Sequence, residues 1–100
     1  MNLQVQIDRE RIAEFCQKWK IVEFALFGSI LRVDFRPDSD VDVLVTFAPD
    51  GGITFDNRVE MLDELSAIFG RKVDLVEKKA IHNPFRRHAI LTTKEIVYVA

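Results

Sequence analysis

The sequence is poor in the residues that build special scaffolds. Its 100 residues hold one cysteine, Cys16, so neither an intramolecular disulfide nor a cysteine-rich zinc site can form within the chain. That excludes a disulfide framework and fits a reducing compartment. Four glycines and three prolines exclude collagen-like repeats and low-complexity linkers. Neither sign of charge dominates: 14 basic residues stand against 16 acidic ones, a formal net charge of -2. Affinity for a phosphate backbone comes from dense Lys and Arg, so direct nucleic-acid binding is not expected. No apolar run approaches the roughly 20 residues needed to span a bilayer. The first ten residues include Asp8, Arg9 and Glu10 and lack the apolar segment of a signal peptide. Together these absences predict a cytoplasmic protein with no membrane partner.

What is present argues for an ordered core. Residues are 48% hydrophobic, 10% aromatic and 30% charged, a balance that disordered chains do not show. The length suits a single domain over 1–100. Residues 8–20 read as a helix capped by Asp8, with Ile12, Phe15, Cys16 and Trp19 on one apolar stripe. Residues 21–27 read as a strand stopped by Gly28, followed by a brief helical turn from Ser29. Arg36, Pro37, Asp38 and Ser39 form a turn signal. The β-branched residues Val41, Val43, Val45 and Thr46 make 40–47 a second strand, and Pro49, Asp50, Gly51 and Gly52 mark a loop. Residues 56–69 read as a second helix with Val59, Leu62, Leu65, Ser66 and Phe69 along one side, flanked by Met61 and Ile68, and Gly70 as its stop. A strand over 72–76, a helix from Pro84 to about 91, and an edge strand over 95–99 complete the order. Helices alternating with strands predict an α+β domain: a mixed β-sheet with helices packed on it.

The segment 26–45 carries the chemistry. Gly28 lets the chain turn sharply after a strand, and the turn that begins at Ser29 can offer unpaired N–H groups to phosphate oxygens. A Gly-Ser pair after a strand is also an ordinary turn. Asp40 and Asp42 open the next strand two residues apart, which puts both carboxylates on one face about 6–7 Å apart, with Val41, Val43 and Val45 facing the core. Side-by-side carboxylates repel and favour a hard cation such as magnesium or manganese; the bland reading is a pair of solvated acids at a strand end. Asp74 interrupts the β-branched run 72–76. It can pair with Arg71 or Lys72, face solvent on an edge, or join Asp40 and Asp42. Three carboxylates together suit two divalent ions about 3.5–4 Å apart, the arrangement of in-line phosphoryl or nucleotidyl transfer. If the strands on either side of the turn are antiparallel neighbours, the turn and the paired acids lie at the same end of the sheet.

Gly28-Ser29, Arg32, and Arg36-Pro37-Asp38-Ser39-Asp40-Val41-Asp42 resemble the signature of the nucleotidyltransferase superfamily related to DNA polymerase beta. The resemblance is to its minimal branch, the MNT-type or MntA-like proteins, and runs over about 15–79. The family commonly shows Gly-Ser-x-Ala-Arg-Gly; here Leu31 stands for the Ala and Val33 for the second Gly. The resemblance implies a polymerase beta-like nucleotidyltransferase core. It implies that Gly28 and Ser29 hold the nucleotide triphosphate, and that Asp40, Asp42 and Asp74 bind two magnesium ions, with Asp74 also helping to activate the attacking hydroxyl. Arg32 and Arg36 neutralise phosphates or brace the loop through Asp34 or Asp38.

The activity implied is transfer of AMP from ATP to a hydroxyl. A core this small has little surface with which to enclose an acceptor. Minimal nucleotidyltransferases typically pair with a HEPN-domain toxin, act as its antitoxin and modify a tyrosine on it. That activity is the leading expectation. One alternative is a non-catalytic module that neutralises a HEPN-type partner by contact, for which an exposed patch of Phe47, Ile53 and Phe55 would be the mark. Another is transfer to a small molecule or an RNA end. His82 and His88 lack zinc-ligand spacing. Arg86, Arg87 and His88, like Lys78 and Lys79, read as a solvated basic face, and Glu60, Asp63 and Glu64 as the outer face of a helix.

Overall fold

The computed structural model describes residues 7–31 and 40–100. Along the chain run α1 (Arg9–Trp19), β1 (Ile21–Phe27), a 3-10 turn (Gly28–Leu31), β2 (Val41–Phe47), α2 (Phe55–Phe69), β3 (Val73–Glu77), a second 3-10 turn (Lys78–Ala80), α3 (Pro84–Thr93) and β4 (Glu95–Val99). The strands form one sheet in the order β3-β2-β1-β4. β1 pairs antiparallel with both β2 and β4, while β2 and β3 are parallel. This is the expected α+β arrangement of a mixed sheet with helices upon it. The 36–39 turn expected between β1 and β2 lies outside the described residues.

Local chemistry explains the boundaries. Asp8 accepts a hydrogen bond from the Arg11 amide and caps α1, which Lys20 ends in the left-handed conformation. α2 begins one residue before the expected helix because Thr54 and Asn57 form a reciprocal capping box, satisfying two amides that would otherwise lack partners. Gly70, at φ 69°, ends it. α3 starts with Pro84 in its first turn, under an Asn83 cap. It runs two residues beyond the expected end, to Thr93.

The sheet has two unlike faces. α1 and α2 cover one, where Ile12, Phe15, Cys16, Phe24, Leu26, Val41, Val43, Val45, Met61, Leu65 and Leu75 are buried together. Phe24 is the hub: its ring meets Phe15 edge-on at 6.3 Å and stacks on Phe69 at 6.4 Å, tying both helices to β1. Burial pushes the Cys16 thiol up to about 12, as desolvation disfavours the thiolate. The opposite face carries a smaller cluster of Ala25, Phe27, Leu44, Ile81 and Ile90 under α3.

Three surface expectations change. The buried side of α2 runs through Met61, Leu65 and Phe69, while Val59 is 65% exposed. The expected Phe47–Ile53–Phe55 patch does not form: Phe47 is buried, Ile53 packs against the core, and only Phe55 is exposed. Glu60 and Glu64 are not simply outward-facing. Both accept from Lys18, at 3.5 and 2.7 Å, and Glu64 also accepts from the Trp19 indole at 3.3 Å, which fastens α1 to α2.

Candidate active site

The register of the sheet assembles the site. Antiparallel pairing places Phe27 beside Asp42, so the turn after β1 and the start of β2 meet at one end of the sheet, as expected. Gly28 opens that turn at φ 74°, a conformation that disfavours a side chain. The space above it is taken: a Cβ on Gly28 would lie 3.2 Å from Asp42 Cγ and closer still to Oδ2. Glycine is thus required twice, for the backbone turn and for the approach of the Asp42 carboxylate.

Parallel pairing then sets Asp42 beside Asp74. Neighbouring strands lie about 4.8 Å apart and partners in register share a face, so both carboxylates project from the side covered by α3, beyond the edge of its apolar cluster. Asp74 is exposed on an edge strand, in register with Asp42. Asp42 is half-buried, as is Asp40 just before β2. The Val41 amide donates to the Lys72 carbonyl at 3.0 Å, which holds the segment carrying Asp40 against the start of β3. Val41, Val43 and Val45 are all 0% exposed on the other face, as the alternation required.

The backbone therefore brings Gly28, Asp40, Asp42 and Asp74 to one end of the sheet. The side chains do not close further: among the described residues, no three His, Cys, Asp or Glu side chains gather as a metal-ligand cluster. Ser29 lies in the 3-10 turn, but its side chain, that of Leu31, and residues Arg32, Val33, Asp34, Arg36 and Asp38 lie outside the described residues. The donor set fits a hard divalent cation, being carboxylate oxygen throughout, with an in-register Asp–Asp pair whose like charges repel.

One supporting residue escaped the sequence reading. Arg58, on α2, donates to the Leu75 carbonyl at 3.1 Å. Leu75 follows Asp74 on β3, and its carbonyl points away from β2, so the guanidinium occupies the outer edge of the strand that carries the acid. No local sequence signal links an arginine in α2 to a strand edge 17 residues on. The basic run on α3 is likewise less uniform than expected: Arg87 is half-buried and donates to the Lys78 carbonyl at 3.1 Å.

Residues 9–97 match the nucleotidyltransferase domain family. The chain is 38% identical to MJ1379 of Methanocaldococcus jannaschii, a candidate protein adenylyltransferase by name, over 82% of this chain and 80% of that one. It is 31% identical to the protein adenylyltransferase MntA of Thermococcus cleftensis, over 86% and 82%. Among solved structures, it superposes on a candidate minimal nucleotidyltransferase with TM-score 0.70 and 30% identity, over 87% and 86% of the two chains. It shares its fold with a chain of a toxin–antitoxin structure with AMP-PNP, at TM-score 0.74 and 20% identity over 94% and 75%. Another fold match, at TM-score 0.65 and 19% identity over 92% and 70%, is to a structure of tri-AMPylated Shewanella oneidensis HEPN toxin in complex with MNT antitoxin. The chain belongs to the nucleotidyltransferase domain family, in its minimal, MntA-like branch.

Proposed function

We propose that the protein transfers AMP from ATP to a hydroxyl of a protein, a tyrosine of a HEPN-type toxin, and thereby acts as its antitoxin. The observation that carries this reading is the register Phe27–Asp42–Asp74, which lines up a glycine turn and two carboxylates in adjacent strands at one end of the sheet. Family membership gives the reaction class. The names of the relatives, and the AMP-modified toxin in one structure of the same fold, point to the acceptor.

In this reading Gly28 and Ser29 receive the triphosphate through the backbone N–H groups of the turn. Arg32 and Arg36 are assigned to its charge. Asp40, Asp42 and Asp74 would hold two magnesium ions. Bound there, magnesium would supply neutralisation of the phosphate charge and polarisation of the α-phosphoryl group. The acceptor oxygen bonds to the α-phosphorus, the bond to the bridging oxygen breaks, and pyrophosphate leaves with that bond's electrons. Asp74, the exposed acid, is assigned to take the hydroxyl proton. In this reading the acceptor protein brings its hydroxyl to the end of the sheet that carries the acids.

Intact-mass measurement of a HEPN partner, incubated with this protein, ATP and magnesium, tests the proposal. The partner is expected to gain the mass of AMP with the wild type and not with a folded Asp42→Asn variant. An unmodified partner in a stable complex would favour neutralisation by contact, and equal modification by Asp42→Asn would remove the acid from the mechanism.

A further inference from the structure

Charge is unevenly divided along the chain. Residues 78–94, which form the second 3-10 turn and α3, hold five of the 14 basic residues and none of the 16 acidic ones. The other 83 residues set nine basic against 16 acidic, a balance of -7. Lys94 is committed to an ion pair with Glu23. Lys78, Lys79, Arg86 and Arg87 make no ion pair with another described residue. Lys79 and Arg86 are exposed, and Lys78 and Arg87 are half-buried. The bond from Arg87 to the Lys78 carbonyl joins the turn to the start of α3, so the four cations sit on adjoining backbone. Phe85 stands among them, 86% exposed. Neither the bare ring nor its cations anchor α3, which is held by buried Ile90, the Asn83 cap and the Lys94–Glu23 pair.

Position decides what meets this surface. α3 covers the sheet face from which Asp42 and Asp74 project, and Lys78 lies four residues beyond Asp74, about 13 Å along the strand direction. A standard protein interface covers about 800 Å² on each partner, a disc roughly 30 Å across. A protein that presents a hydroxyl to the acids on this face has the span to cover the basic turn as well. The rest of the chain, with its excess of acids, repels an acidic partner, whereas the basic turn attracts it, which selects one orientation of approach. Four cations fall short of the roughly 6–10 phosphate contacts of a nucleic-acid track, and an exposed aromatic ringed by charge has the anatomy of a protein docking site.

We infer that the Lys78–Arg87 surface docks an acidic face of the acceptor protein, with Phe85 as its apolar anchor. The inference rests on the proposed function for the identity of that acceptor.

The test measures affinity of the HEPN partner for the immobilised full chain without ATP, so that docking is read apart from transfer. Lys79→Gln combined with Arg86→Gln, both at exposed positions, should weaken binding about tenfold at about 50 mM salt. The loss should shrink to about twofold at about 500 mM, where screening removes attraction between exposed charges. Arg11→Glu, the same change of charge on α1, should leave affinity within about twofold at both salt concentrations. Phe85→Ala should weaken binding about tenfold whatever the salt. In the transfer assay the double variant should raise the KM for the partner and leave kcat unchanged, whereas Asp42→Asn should bind the partner and lose transfer. Binding that depends on α3 without AMP transfer by the wild type would remove the proposed reaction and keep the docking face. Undiminished binding by the α3 variants, or an equal loss in Arg11→Glu, would overturn the face even where transfer proceeds. So would a wild type that binds no partner, or one that binds single-stranded RNA more tightly through the same residues.

Discussion

Gly28 and Asp42 show how much can rest on one missing methyl group. The left-handed turn at Gly28 and the carboxylate packed over its Cα impose separate demands that only glycine meets. An L side chain in that conformation costs about 1–2 kcal/mol, and the overlap adds to it. Gly28→Ala should therefore lower the urea midpoint by the equivalent of about 1–2 kcal/mol. It should also cut AMP transfer by about 100-fold, the scale set by roughly 1 Å of misplacement at a reacting centre. A variant with wild-type stability and turnover would show that the close approach has no role. The Gly-Ser turn and the Asp-x-Asp pair were both legible in the sequence as separate signals. Their contact was not, because it depends on the β1–β2 register, which follows from how the two strands pair rather than from either alone.

At the level of elements, β3 is the exposed part of the site. Among the described residues it lies at the edge of the sheet, pairs only with β2, and carries Asp74. Arg58 bonds its outer edge through the Leu75 carbonyl, a charged hydrogen bond of the kind contributing about 1.5–3 kcal/mol when well shielded, less at a partly exposed edge such as this. Removing it with Arg58→Ala should leave the fold intact but speed hydrogen exchange of the Asp74 and Val76 amides by about tenfold, while the β1 amides stay protected. Arg58→Lys should restore part of the protection. Unchanged exchange at β3 in Arg58→Ala would mean the arginine does not brace the strand. Most elements were readable from residue type: β1 and β4 follow their apolar runs, and Pro84 and Gly70 bound their helices. The rotation of α2 was not readable. Of the expected stripe Val59, Leu62, Leu65, Ser66 and Phe69, the sheet buries Leu65 and Phe69, adds the flanking Met61 and leaves Val59 exposed. Arg58 stayed hidden for the same reason: its partner is a main-chain atom of another element.

Across the whole molecule, the two faces of the sheet divide the work. α1 and α2 bury the larger cluster and fasten to one another through Lys18, Glu60 and Glu64. α3 covers the smaller cluster on the other face, and the acids lie at one end of the sheet. Among the described residues no helix is long and apolar enough to cross a membrane. Under the proposed function, transfer of AMP to the acceptor protein is the central claim. The most direct test uses ATP labelled in turn at the α and γ phosphates, with magnesium and the HEPN partner, comparing wild type with the Asp40→Ala, Asp42→Ala double variant. The account predicts α label on the partner and γ label released as pyrophosphate, with neither result from the folded double variant. Label on the partner from γ-labelled ATP, or equal α transfer by the double variant, would contradict it.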